Sequence, residues 1–318
     1  MVALLDGGSQ CLRGSMGGGL LVQDAAGTRI TRGDVLWTSF GCDGPIGGAV
    51  LECLLGGVTA LSGQRGVRVC VLGIQGDGGL PPCDALLGAC RAAGCALLTV
   101  EVSHPLTQLP RHPTFFTVPP SSAWFAANVF DDPCFLSPVA WGARRPQLVW
   151  RRGVSGDKAQ GLRRRTVECL SRAPGCDVRF VDKWTDGAVN PRTQPWMFGD
   201  EMSVEEQSAY KGVLVDGNTL PSNFMWAFAS GACVFLATEF EFWFRGYFEP
   251  WVDFVPLPAA GSPCWATRAC VANALADDAT MERIARSGHA TARRVFHPDF
   301  QRQELLARLG SWLQAYRN

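Results

Sequence analysis

The segment Val67–Ile74, VRVCVLGI, constrains this chain more than any other. It is apolar, rich in β-branched residues and bounded by glycine, which is the signature of a buried strand. Similar short strands are predicted at 34–40, 96–100 and 114–118, with helical spacing over 46–55 and 84–93. After Arg144-Arg145-Pro146 the same style resumes. Strands are predicted at 147–151, 177–181, 212–215, 233–236 and 254–257, and helices at 161–171, 204–210, 223–230 and 240–244. Ser203 with Glu206 three residues on forms a capping box for the helix over 204–210. Two helices, 277–296 and 299–316, close the chain. Strands alternating with helices predict α/β domains with parallel sheets. The charged, proline-containing connector divides the chain into domains 1–145 and 146–318.

Composition narrows the functional classes. Hydrophobic residues make up 47% of the 318 residues, enough for a large core and too many for disorder. Lys+Arg and Asp+Glu are both 29, so the chain lacks the charge excess of a nucleic-acid binder. Only Lys158, Lys183 and Lys211 are lysines, so arginine is the default cation and Arg163-Arg164-Arg165 reads as a solvated helix face. None of the 13 cysteines forms a C-x-x-C pair, and His104, His112, His289 and His297 lack metal spacing to them. The cysteines are expected to be reduced, mostly buried thiols of a cytoplasmic protein. The first ten residues have no basic signal-peptide region. No apolar run is long enough for a transmembrane helix.

In doubly wound α/β domains ligands sit at the carboxyl ends of strands. Four glycine-rich loops, 41–45, 75–81, 152–157 and 216–223, occupy such positions. A helix starting after such a loop offers free N–H groups to phosphate. None of the loops matches G-x-G-x-x-G or the lysine-bearing P-loop, which disfavours dinucleotide dehydrogenases and P-loop NTPases. No G-x-S-x-G elbow is present for an α/β hydrolase.

An ordered set of motifs over roughly half the chain resembles the family 90 glycosyltransferases, which include lipopolysaccharide- and capsule-modifying enzymes and animal protein O-glucosyltransferases. The set begins with Val149-Trp150-Arg151-Arg152-Gly153 and continues through Met202–Gln207 and Tyr210-Lys211. Asp216-Gly217-Asn218, Ser230-Gly231 and Val234-Phe235 follow. It closes with Glu241-Phe242-Trp243-Phe244, Glu249-Pro250-Trp251 and Phe254-Val255-Pro256-Leu257. The resemblance implies a GT-B fold, two Rossmann-like domains facing a central cleft, with helix 299–316 packing back on the N-terminal domain. It implies an inverting, metal-independent hexosyl- or pentosyltransferase. The donor would be a UDP-sugar, xylose or glucose favoured, and the acceptor a hydroxyl of a glycan or glycoprotein, with no cofactor.

Inverting transfer needs one base for the acceptor hydroxyl and positive charge or oriented donors for the leaving diphosphate. Asp77, past the Val67–Ile74 strand and followed by Pro81, matches the family's carboxylate and is the candidate base; it can also be read as a turn former between glycines. Asp84 is one rival, better suited to capping the next helix, and Asp43 is another, on a loop that could touch either substrate. Asp43, Gly44 and Trp124 are candidates for the acceptor side. Donor binding falls to Arg152, Gly153, Ser155, Gly156 and Arg163, and to the turn carrying Gly217, Asn218, Thr219, Ser222 and Asn223. Many family members carry Arg where Asn223 stands, so Arg152, Lys158, Arg163 or a helix dipole would have to supply that charge. Glu241 would accept hydrogen bonds from the ribose hydroxyls, or serve as a favourable charge at a helix start. Trp226, Phe228, Trp243 and Phe244 are expected in the core. Asn223 also supports the alternative of a catalytically inactive sugar-nucleotide or glycan-binding protein with the same fold.

Overall fold

The computed structural model describes residues 139–315, apart from 155–160, 182–188, 217–222, 239, 243 and 260. Before residue 139 it describes nine strand segments and positions 57 and 60. The chain forms two compact units. Unit 1 comprises Met1–Asn128, Phe240–Trp243 and Phe296–Asn318; unit 2 comprises Val129–Glu239 and Phe244–Val295.

Unit 1 holds two antiparallel pairs near the start: β1 (Leu4–Leu5) with β2 (Gln10–Cys11), and β3 (Leu21–Asp24) with β4 (Gly27–Ile30). Neither pair was expected from the sequence, because segments this short carry too few alternating positions to register as strands. A parallel four-stranded sheet follows, in the order β5 (Val35–Ser39), β6 (Arg68–Gly73), β7 (Cys95–Glu101), β9 (Phe115–Thr117). The predicted strands lie within one or two residues of these. The helices predicted over 46–55 and 84–93 lie outside the described residues, apart from position 57 nearby.

β8 (Ser103–Pro105) pairs antiparallel with β14 (Phe240–Phe242). This corrects the helical reading of Phe240–Phe244: Phe240–Phe242 is a strand. The Phe-Glu-Phe alternation has the period of a strand, and β-pairing overrides the helical spacing of the longer aromatic run. The last helix of the chain, Pro298–Ala315, also belongs to unit 1. It buries Leu305, Leu309 and Leu313, one turn apart on a single stripe. A side chain at Gly57 would press on Leu306 and Leu309 of that helix, so glycine lets the two segments approach.

Unit 2 is built on a five-stranded parallel sheet in the order β11-β10-β12-β13-β15. The strands are β10 (Arg145–Arg152), β11 (Cys176–Phe180), β12 (Tyr210–Asp216), β13 (Cys233–Ala237) and β15 (Val255–Pro256). Leu148–Trp150, Val213–Val215 and all of β13 are buried, as expected of parallel strands covered on both faces. At Gly212 an added Cβ would meet the Phe235 ring and Leu148, so the absence of a side chain lets its neighbours close over β12.

α1 (Leu162–Leu170) connects β10 to β11, α2 (Val204–Ser208) precedes β12, and α3 (Phe224–Ala229) connects β12 to β13. α2 starts on the capping box: Ser203 Oγ accepts from Glu206 N at 3.1 Å and Ser203 N donates to Glu206 Oε2 at 2.7 Å. α3 packs Phe224 and Phe228 against Phe244 and Phe248, with ring centroids 4.7 to 5.7 Å apart in three pairs across the contact. Trp226, Phe228 and Phe244 are all core residues.

Two helices follow β15: α4 (Cys264–Ala276) and α5 (Asp278–Val295). α4 was not expected. Its apolar residues are spread around the helix, and Pro263 offers no side-chain cap, so neither start signal nor stripe announces it. The cysteine reading is corrected as well. Cys169 of α1 and Cys264 of α4 form a disulfide, with Cα atoms 5.1 Å apart and a sequence separation of 95. Sequence spacing is silent on this pair because the fold, not a motif, brings it together. Cys176, Cys233 and Cys270 are free thiols, and burial raises all three pKa values, that of Cys176 to about 11. Among the described residues no helix is long and apolar enough to cross a membrane.

Candidate functional site at the sheet switch point

Strand order in unit 2 defines where a ligand can enter. Relabelled along the chain, β11-β10-β12-β13-β15 is the order 2-1-3-4-5, and its direction of winding reverses between β10 and β12. In doubly wound sheets the crevice outside the carboxyl ends at that reversal is the binding position. Here β10 and β12 last pair at Val149 and Val213, yet β10 runs on to Arg152 and β12 to Asp216.

Alternation separates the two arginines at the carboxyl end of β10, Arg151 and Arg152. Arg151 is buried and structural: its guanidinium binds Asp177 Oδ1 at 2.6 Å, Asp177 O at 2.7 Å, Trp150 O at 3.0 Å and Asp200 O at 3.0 Å. Tyr210 donates to the other Asp177 oxygen at 3.2 Å, so β10, β11 and β12 are tied together beneath the crevice. Arg152 is only half-buried, and burial lowers its pKa while Asp216 opposes that shift. Gly153 continues the chain out of the strand.

Asp216, the last residue of β12, is 3% exposed. Arg163, from the first turn of α1, reaches back to it, with Nε 3.1 Å from Oδ2. The same guanidinium donates to Gly153 O at 3.4 Å and lies 5.7 Å from the Trp150 ring centroid. Burial raises the Asp216 pKa; Arg163, the Trp150 indole and Arg152 all act against that rise. Asp216 Oδ1 and Trp150 Nε1 are both buried, and neither reaches a partner at hydrogen-bonding length. The indole N–H nonetheless favours the charged form of the carboxylate. Two guanidinia beside one carboxylate leave a positive edge on the crevice, suited to an anion such as phosphate.

Of the sequence-derived donor residues, the fold brings Arg152, Gly153 and Arg163 to this crevice. Asn223 sits just before α3, 2% exposed, with Nδ2 donating to Leu214 O at 2.8 Å. That side-chain donor holds α3 to β12. Glu241 lies in the middle of β14, opposite His104, so it is not a charge at a helix start. It belongs to unit 1, whereas Arg152, Arg163 and Asp216 belong to unit 2. Asp77, Asp43, Gly44, Trp124, Ser155, Gly156, Gly217, Asn218, Thr219 and Ser222 lie outside the described residues. Sequence reasoning missed Asp216 and Trp150 as members of the site. The available signal was an acidic residue ending an apolar strand just before glycine, at one of the loops singled out for ligand binding.

No protein-family model matches the chain, and no curated protein matches it. Several solved structures are similar to it at low identity. A glycosyltransferase from Rickettsia africae ESF-5 overlaps with a TM-score of 0.47 at 10% identity, covering 83% of this chain and 81% of that one. Sucrose-phosphate synthase from Thermosynechococcus elongatus gives 0.43 at 12%, covering 89% and 74%. The pneumococcal O-GlcNAc transferase GtfA, solved with UDP and GlcNAc, gives 0.41 at 10%, covering 81% and 59%. Overlaps of this extent assign the chain to no family.

Proposed function

We propose that the protein is an inverting glycosyltransferase of GT-B architecture that moves a sugar, xylose or glucose favoured, from a UDP-sugar to a hydroxyl of a glycan or glycoprotein, without a metal. The observation that carries the reading is the Arg152–Arg163–Asp216 cluster at the β10/β12 switch point. A nucleoside diphosphate needs fixed cations where its phosphates lie, and a parallel sheet presents that place at its carboxyl edge. The motif resemblance, read from Trp150-Arg151-Arg152-Gly153 to Phe254–Leu257, names the donor class.

In this reading Asp77 removes the proton from the acceptor hydroxyl as its oxygen attacks the anomeric carbon. The bond from that carbon to the diphosphate oxygen breaks, and its electron pair leaves with UDP. Arg152 and Arg163 hold the developing charge, with Asp216 orienting Arg163. Ser155, Gly156 and the turn from Gly217 to Ser222 complete the phosphate contacts, and Glu241 takes the ribose. Asp43, Gly44 and Trp124 lie on the acceptor side.

A thermal-shift panel of UDP, GDP and their sugars tests the donor: UDP is expected to stabilise the protein. Stabilisation by no nucleotide refutes the reading. Asp77→Asn is expected to fold and bind UDP but to release no UDP from donor plus acceptor. Retained turnover removes Asp77 as the base. The buried Asn223, neutral where many family members carry arginine, favours a second reading, a sugar-nucleotide-binding protein without transfer. UDP binding with no UDP release from any donor and acceptor pair would select it.

A further inference from the structure

Trp251 is the one described non-glycine residue with a positive φ, at 64°. A bulky side chain rarely adopts that conformation, because its Cβ crowds the backbone. The residue is nevertheless 50% exposed, so burial in the core does not hold it there. The turn beneath it does. Asp253 is 5% exposed, and its carboxylate accepts from Glu249 N at 3.0 Å, Ser287 Oγ at 2.7 Å and Thr291 Oγ1 at 3.1 Å. Trp251 N donates to Phe254 O at 2.7 Å. Gly288 of α5 packs so tightly under the turn that a Cβ there would strike Asp253 O and the Phe228 ring. The Asp253 network, the Trp251–Phe254 bond and the Gly288 packing thus enforce a costly backbone whose visible result is an aromatic residue held half out in water. Strain that the surroundings over-determine marks functional positions.

We infer that Trp251 is a sugar-stacking platform that binds a pyranose ring of a glycan. Its exposed face is on the order of 100 Å², half of a large aromatic side chain. That matches one sugar ring and falls far short of the roughly 800 Å² per partner of a protein interface. Glu249 and Pro250 beside it are exposed, and the Glu249 carboxylate can accept hydrogen bonds from sugar hydroxyls. The neighbouring acids, Glu249 and Asp253, offer nothing to an anionic lipid surface. Trp251 precedes the amino end of β15, whereas Arg152 and Asp216 close the carboxyl ends of their strands, so this platform adds to the donor crevice rather than forming part of it.

The test is titration calorimetry of the full chain with maltohexaose and cellohexaose, for wild type, Trp251→Phe, Trp251→Ala and Trp251→Gly. The glycine variant relaxes the backbone, so it keeps the fold even if alanine disturbs it. At least one oligosaccharide is expected to bind wild type and the phenylalanine variant, with affinity falling tenfold or more in the alanine and glycine variants. The thermal response to UDP is expected to be the same in all four. Failure of wild type to bind both oligosaccharides, or equal affinity in the glycine variant, overturns the inference. So does Trp251-dependent partition onto phosphatidylcholine vesicles in place of oligosaccharide binding. The inference stands without the donor reading: Trp251-dependent glycan binding with no UDP response would remove the UDP-sugar proposal alone.

Discussion

Removing Arg163 while leaving Asp216 in place isolates the electrostatics of the crevice. The Asp216 side chain is 1% exposed and that of Arg163 is 17% exposed, so the pair is asymmetric in its access to water. In Arg163→Met the carboxylate keeps only Arg152 and the unbonded Trp150 indole nearby. Breaking a buried pair from one side costs about 3–5 kcal/mol, and the residual exposure of Arg163 places this case at about 3. Asp216→Asn keeps the volume and removes the charge, and Arg163 can turn to water, so that loss is about 1 kcal/mol.

The two substitutions separate further with pH. Burial raises the folded pKa of Asp216 above its unfolded value. A group of that kind stabilises the fold most fully below its unfolded pKa, about 3.9 for aspartate, and loses that contribution as pH rises through the folded value. Losing Arg163 lifts the folded pKa further, because the strongest opposing charge is gone. The deficit of Arg163→Met should therefore shrink toward pH 5 and grow toward pH 8, by at most ~1.4 kcal/mol per pH unit for one proton. Asp216→Asn has no carboxyl to titrate and should not follow it. Urea unfolding at pH 5 and pH 8 measures this. A loss below about 1 kcal/mol, or one that grows as pH falls, would refute the pairing.

Two other predictions concern the scaffold. Arg144 is 5% exposed and donates to Ser208 O at 2.6 Å, Val139 O at 3.0 and 3.1 Å, and Ser230 O, so it serves the carbonyl ends of α2 and α3 with one cation. Arg144→Met strands those carbonyls and should cost about 3 kcal/mol in urea unfolding, at roughly 1–3 per orphaned group with partial rescue by water. Reducing the Cys169–Cys264 bond, which joins residues 95 positions apart, should destabilise unit 2 by about 4.7 kcal/mol on chain-entropy grounds. Thermal unfolding with and without dithiothreitol checks it, with Cys169→Ser as the matching variant.

The fold of unit 2 was legible because buried parallel strands write themselves as apolar runs. QLVWR, GVLV and CVFL need no partner to be identified, and each lies within a longer strand of the structure. Strand ends extended because pairing continues past the apolar core, as at Tyr210 and Asp216. Where the sequence misled, a long-range pairing decided. Phe240–Phe242 has aromatic spacing that suits either period, and the match with Ser103–Pro105, more than a hundred residues earlier, selects the strand. α4 escaped because a helix with buried residues only at Thr267, Val271 and Ala274 presents too narrow a stripe to read.

The same division governs the site. Arg152 and Gly153 follow directly from a strand-end rule, since each lies where one apolar run stops. Asp216 obeys the same rule and was passed over because a lone aspartate before glycine is also a common turn residue. What distinguishes it is a partner 53 positions away. Arg163 reaches it only because α1 starts at the carboxyl edge of β10, next to the end of β12, an adjacency set by the 2-1-3 winding of the sheet. Topology therefore precedes chemistry here: once strand order is fixed, a reader can list which loops meet at the reversal and ask which of their charges would be buried. On that procedure Asp216 is the first residue named, because it is the one carboxylate at the described ends of β10 and β12.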